Sequence, residues 1–188
     1  MNIKKSQCSE NSVKYWILFG IPVVFIIGGF THFIYELSGE NLLVGIISPV
    51  NESVWEHLKM SFWGLLIWWL VGYFLLSGNR CISAAKWFSA CATALYVALF
   101  FIMTVYYLYT GALGKDCLIA DILLLLVGIV AAQISGYIVY MCPGFHRNRL
   151  LCSILLIALL TAAFIIFTFV PPHIPLFIDK ATGRYGIF

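Results

Sequence analysis

Apolar runs about twenty residues long, broken by short clusters of Gly, Pro and charge, recur five times along the chain. A helix needs about 20 residues to cross the roughly 30 Å of hydrocarbon in a bilayer, so each run can span one. The runs are about Tyr15–Tyr35, Val54–Leu76, Ala84–Tyr109, Leu118–Met141 and Leu150–Val170. GNR at 78–80, GALGKD at 111–116 and PGFHRNR at 143–149 punctuate them, and PP at 171–172 ends the last. The pattern predicts an all-α fold: a polytopic membrane bundle of about five transmembrane helices in one domain over 1–188. The first run reads as an uncleaved span, because it is about twice the length of a signal-peptide core and no small-x-small site closes it. Pro22 and Gly28–Gly29 inside it are tolerated where neighbouring helices re-satisfy the backbone.

Two segments do not fit a span. ELSGENLLVGIISPVNES, between the first two runs, has a centre too short to cross and too apolar to be freely solvated. It is expected to be a re-entrant or interfacial loop that roofs the outer end of the bundle. The tail PPHIPLFIDKATGRYGIF, residues 171–188, cannot continue a helix and is expected to fold back onto the bundle or into the headgroups.

Composition sharpens this reading. Of 188 residues, 62% are hydrophobic and 10% charged, with a mean hydropathy of +0.98, against about 25% charged in soluble domains. A water-facing globule, a disordered chain and a secreted disulfide scaffold are excluded. With 11 Lys+Arg against 8 Asp+Glu, so is a nucleic-acid binder; the partner that remains is the lipid bilayer. With the N-terminus inside, Lys4, Lys5, Lys14, Arg80, Lys86, Arg147 and Arg149 are cytoplasmic, seven of the eleven basic residues, and Lys59, Lys115, Lys180 and Arg184 are outside. The split favours an N-in, C-out arrangement. It leaves Cys8, Cys81 and Cys142 in the cytoplasm, Cys91 and Cys152 in spans and Cys117 near the outside, with no disulfide pair and no CxxC metal motif.

The ionisable residues gather on one side. In this arrangement His32, His57 and His173, with seven of the eight carboxylates, fall at the outer face. Residues four apart share a helix face, so His32 stacks with Glu36, Ser53 with His57 and Glu52 with Glu56. Asp121, one turn inside the fourth span, needs an inward partner because an ionised carboxylate facing lipid is costly. His32, His57 and Asp121 are expected to converge in a pocket opening outward. Imidazoles and carboxylates are the ligand set of zinc or another divalent ion, so His32, His57 and His173 are the candidate metal ligands. Glu56 or Asp121 is the candidate general base, and Ser53 a further catalytic candidate. A structural account competes: Ser53-Val54-Trp55-Glu56 is a capping box, in which the Ser53 hydroxyl accepts from the Glu56 amide and the Glu56 carboxylate reaches back to the Ser53 amide. Trp55 beside the cluster is an interfacial anchor or a ligand-stacking ring.

HFIYELSGENLLVGIISPVNESVWEHLK and PPHIPLFIDKATGRYGIF resemble a domain-of-unknown-function family of small multi-pass bacterial membrane proteins. The matching positions are His32, Tyr35, Glu36, Gly39, Asn41, Pro49, Asn51, Glu52, Ser53, Trp55, Glu56, His57 and Lys59, then His173, Pro175, Asp179, Gly183 and Tyr185 in the tail. Leu37 and Lys180 depart from a pattern that has Trp and Pro there. The resemblance implies a bacterial plasma membrane and no mechanism. The inventory Ser53, Asp121, His32, His57 and His173 is similar to that of alkaline ceramidase-like membrane hydrolases, although five spans replace seven and no i,i+4 His pair occurs. Three functions follow as alternatives. They are a metal-dependent hydrolase or transferase on lipid-like substrates, a small transporter using Asp121 and Gln133, and a non-catalytic structural or partner-docking protein.

Overall fold

Long apolar stretches without interior breaks form helices because in hydrocarbon every backbone N–H and C=O must be satisfied within the segment. The computed structural model describes residues 3–78, 82–143 and 148–187, with only the backbone described for 3–10 and 148. Arg80, Cys81, His146 and Arg147 lie outside the described residues. The helices are α1 (Ile3–Leu37), the single turn α2 (Leu42–Gly45), α3 (Val54–Ser77), α4 (Ala84–Leu113), α5 (Leu118–Met141) and α6 (Asn148–Phe169), followed by a 3-10 turn at Pro175–Phe177. Five of them are long and apolar enough to cross a membrane: Asn11–Leu37, Val54–Ser77, Ala84–Leu113, Leu118–Met141 and Arg149–Phe169. The five expected spans are all present, and among the described residues there is no strand beyond the isolated bridge Ile178–Tyr185.

Helices α3 and α4 form the centre. α1 and α4 pack on α3, α5 packs on α4 and α1, and α6 lies against α4. The crossings are close because small residues sit at them. A Cβ added to Gly28 of α1 would lie 2.9 Å from the Met60 carbonyl oxygen of α3, whereas one added to the neighbouring Gly29 would meet nothing within 4 Å. The buried core runs through Ile17, Val24, Phe62, Leu65, Trp69, Trp87, Leu95, Ile129 and Phe164. Large apolar side chains on the outward faces, such as Phe19, Phe30, Phe74, Leu123 and Leu155, are exposed and form the surface that lipid would cover.

The mid-span polar residue is accounted for within the core. Gln133 is fully buried; its amide donates to the Ile17 carbonyl at 3.2 Å and accepts from Trp69 Nε1 at 3.0 Å. It links α1, α3 and α5, and both ends of its amide have protein partners. Trp87 Nε1 likewise donates to the Trp69 carbonyl at 2.8 Å, so these two tryptophans serve packing rather than an interfacial belt.

The segment between α1 and α3 does not run freely. Ser48 is buried, donates its hydroxyl to the Thr31 carbonyl at 2.5 Å and accepts from the Tyr35 N–H at 3.1 Å, which ties it to the last turns of α1. Asn41 caps α2 through Leu43 N–H at 2.9 Å. Trp63 Nε1 donates to the Ile46 carbonyl at 2.9 Å. Leu42, Leu43 and Ile47 are exposed, as are Phe33 and Leu37 near the end of α1, so the loop combines an exposed apolar edge with polar contacts to α1 and α3.

A candidate metal centre at the helix ends

The ends of α1 and α4, the starts of α3 and α5 and the tail share one end of the bundle. Here the two polar halves of the α3 start part company. Ser53 has extended backbone (φ −77°, ψ 153°) and caps α3, its hydroxyl accepting from the Glu56 N–H at 3.3 Å. The reciprocal half of the expected capping box does not form. Glu56 instead accepts the Val50 N–H at 3.0 Å and the Lys59 ammonium at 2.5 Å, while the Ser53 N–H goes to Asn51 Oδ1 at 2.9 Å. Lys59, fully buried, also donates to the Gly45 carbonyl at 2.8 Å and the Ser48 carbonyl at 3.5 Å. A buried ammonium persists only where it is paired and its protons are all used. Glu56 and Lys59 together therefore clamp the loop onto α3.

Glu52 goes the other way. It precedes the helix, so the four-residue stacking with Glu56 expected from the sequence does not hold; that spacing applies only inside a helix. Its carboxylate approaches His57 Nε2 at 3.4 Å and His32 Nε2 at 3.9 Å. The two imidazole rings lie 5.2 Å apart, tilted by 35°. Among the described residues, His32, Glu52 and His57 form the group in which one ligand atom from each lies within 4.8 Å of the others. The 3.4 Å separation is close to the edge of about 3.3 Å of a tetrahedron with zinc–ligand bonds of about 2.05 Å, and the other separations are wider.

The environment of each imidazole differs. His57 Nδ1 is 2.9 Å from the Ser53 carbonyl. A carbonyl can only accept, so Nδ1 carries a proton, and Nε2 is the ring nitrogen that faces the Glu52 carboxylate. This is the arrangement that fixes the tautomer of a metal-bound histidine. His32 Nδ1 is buried with no hydrogen-bond partner, which leaves His32 the adjustable member of the pair.

The remaining sequence candidates divide. Asp121 accepts from the Tyr109 hydroxyl and lies within electrostatic reach of His57 and Asp116, so it borders the group without belonging to it. His173 packs its ring against Tyr185, centroids 4.6 Å apart, and is not among the three converging groups. Ser53 is buried and engaged as a cap. Trp55 is buried in a cluster with Phe164, Phe167 and Phe177, with centroids 4.5 to 5.6 Å away; it anchors the tail and does not face the site. Glu36 is exposed in the last turn of α1.

The tail docks over the α3 start. Asn51 Nδ2 donates to the Gly186 carbonyl at 3.0 Å, and the Glu52 N–H donates to Asp179 Oδ1 at 3.2 Å. Lys180 pairs with Asp116 at 2.8 Å and sits 4.4 Å above the Tyr106 ring. Burial opposes ionisation of Asp179, but hydrogen bonds from the Thr182 hydroxyl and the amides of Ala181, Glu52 and Thr182 outweigh it and hold the carboxyl below the usual carboxylate range.

The model of a family described only as of unknown function, DUF6512, matches residues 3–187. The chain belongs to that family. No curated protein and no solved structure matches it. As a DUF6512 protein, the chain has no relative here whose chemistry transfers to it, and the reading of its site rests on geometry.

Sequence reasoning named Glu52, Lys59 and Asp179 as positions of the family pattern but gave neither them nor Tyr109 a role in the site. Glu52 lacks a helical phase that would aim it, Tyr109 and Asp179 meet Asp121 and the Glu52 amide on other elements, and Lys59 takes two loop carbonyls besides Glu56 one turn away. The one available signal was the cost of burying charge: a lysine five residues into an apolar helix has to find acceptors.

Proposed function

We propose that the protein is a divalent-metal-dependent hydrolase or transferase acting on lipid-like substrates at the outer face of a bacterial plasma membrane. The convergence of His32, Glu52 and His57 from two helices and the loop between them carries this reading. Three protein ligands of N and O type suit zinc and leave a fourth position for water, whose pKa such an ion lowers to about 7. Asp121 is the carboxylate best situated to accept the proton, because Glu56 is committed to Lys59 and the loop. Ser53 contributes through its carbonyl, which orients His57, more than through its engaged hydroxyl. His173, on the docked tail with its ring against Tyr185, is left out of the ligand set. The exposed Phe33, Leu37 and Leu43 lie near this rim, so the head of an amphiphile can reach the ion while its chains stay in hydrocarbon.

Elemental analysis of detergent-purified protein tests the reading. Near-stoichiometric zinc or another divalent metal is expected, and His57→Ala should lose it while keeping a monodisperse elution profile. Protein that carries no metal and takes up none from added zinc rules the proposal out. A second reading, a non-catalytic structural or docking protein, is favoured by one observation. Ser53, Glu56, Lys59, Asp116, Asp179 and Lys180 all hold helix ends, loop and tail together. Stoichiometric metal without turnover of any amphiphilic ester or phosphoester would favour it.

A further inference from the structure

No helical periodicity fixes the Glu52 side chain, so its direction is set by where its backbone is held. The held atom is its N–H, which donates to Asp179 Oδ1 at 3.2 Å across 127 positions of sequence. Asp179 is 3% exposed and is itself rigidly built. Oδ1 also takes the Ala181 N–H at 3.0 Å and Oδ2 the Thr182 hydroxyl at 2.5 Å. The Asp179 N–H donates to the Arg184 carbonyl and its carbonyl accepts from Gly183 N–H, both at 2.8 Å. The bridge Ile178–Tyr185 closes the turn, in which Gly183 takes a left-handed φ of 72° that an L side chain resists. A carboxylate locked this way presents a charged, fixed acceptor to one amide, and that amide belongs to the carboxylate ligand of the metal group.

We propose that Asp179 is a positioning residue of the metal centre: through the Glu52 amide it registers the Glu52 carboxylate with His32 and His57, making the C-terminal tail a working part of the site. The inference rests on the metal reading above. Asp179 touches no ligand atom. It acts on the ion only through the backbone of the residue that does, as outer-shell groups of metal sites do, where their loss lowers affinity about 10- to 100-fold. The tail has other anchors, in Phe177 against Trp55 and Lys180 against Asp116, so loss of the Asp179 contact and loss of tail docking can be separated.

Cobalt(II) titrated into the full-length, detergent-solubilised protein and followed by its visible absorption reads the site directly. Asp179→Ala should weaken cobalt binding at least about ten-fold. Asp179→Asn, which retains an acceptor oxygen, should stay within about three-fold of wild type. Lys180→Met cuts the Asp116 anchor, leaves the Asp179–Glu52 hydrogen bond and should not weaken binding, because the cation it removes lies within electrostatic reach of Glu52 and opposes a bound metal ion. Thr182→Val leaves the carboxylate without its hydroxyl buttress and serves if Asp179→Ala does not fold; it should weaken binding about three-fold. Equal binding by wild type, Asp179→Ala and Thr182→Val overturns the positioning role and leaves the metal centre standing. Equal weakening in Asp179→Ala and Lys180→Met overturns it as well, since tail docking in general would then be responsible. A wild type that binds neither cobalt nor zinc removes the metal centre and this inference with it.

Discussion

Replacing Lys59 with Met tests how the loop over the site is held. The substitution keeps the length and apolar stem of the side chain and removes its donors to Glu56, Gly45 and Ser48. Glu56, 2% exposed, is left with the Val50 N–H as its remaining hydrogen bond. Breaking a buried ion pair by removing one partner costs about 3–5 kcal/mol, because the stranded charge keeps its desolvation penalty. Each kcal/mol moves the midpoint of a chain this size by roughly 2–4 °C, so a fall on the order of 10 °C is expected. Thermal unfolding in detergent followed by tryptophan emission measures it, with Trp63 reporting locally through its bond to Ile46. Glu56→Gln should destabilise comparably by stranding the ammonium. The double variant Glu56→Gln/Lys59→Met carries no buried charge and should recover more than half of the loss. If Lys59→Met melts within about 2 °C of wild type, or the double variant loses the sum of the two singles, the clamp argument is refuted.

Three further outcomes follow from particular contacts. Gly28→Ala should destabilise the bundle by pressing a methyl onto the Met60 carbonyl at 2.9 Å, whereas Gly29→Ala, with nothing within 4 Å, should be neutral or gain up to about 1 kcal/mol of helix propensity; equal effects would show that α1 does not cross α3 at Gly28. Because the folded pKa of Asp179 lies below its unfolded value, its contribution is present above the ordinary Asp range and lost as pH falls through the depressed folded value. Limited proteolysis should therefore find the tail protected at pH 5 and released only below about pH 4, and release already at pH 5 would contradict the docking geometry. Cys117 and Cys142, both exposed, cap opposite ends of α5; in cells expressing variants that retain one or the other, a membrane-impermeant maleimide should label Cys117 and spare Cys142. The reverse pattern inverts the orientation and moves the metal group to the cytoplasmic side.

The tail and loop give their end of the bundle a rigidity that the helices alone would not. Lys59 and Glu56 hold the loop from below, Asp179 and Asn51 hold the α3 entry from the side, and His57 is oriented by the carbonyl of the capping residue. Precise placement of this kind suits ligands that must meet at a point.

Span number, span bounds and the gathering of polar groups at one end were legible in the chain because they depend on summed hydropathy over about twenty residues, a local quantity that tertiary contacts rarely override. The Ser53 cap and the inward need of Asp121 were legible for the same reason: a cap lies within one turn, and burial of charge demands a partner whoever supplies it. The identity of each partner was not. Asp121 found Tyr109 on the preceding helix, Lys59 found Glu56 one turn back together with two loop carbonyls, and Gln133 found Trp69 and Ile17 on helices far apart in sequence. The expected third imidazole, His173, went to Tyr185, and Glu52 stands beside His32 and His57 instead, because Glu52 lies outside the helix and takes its direction from the docked tail. Local physics decided which residues had to seek company at the rim; only the folded chain decided which ones met.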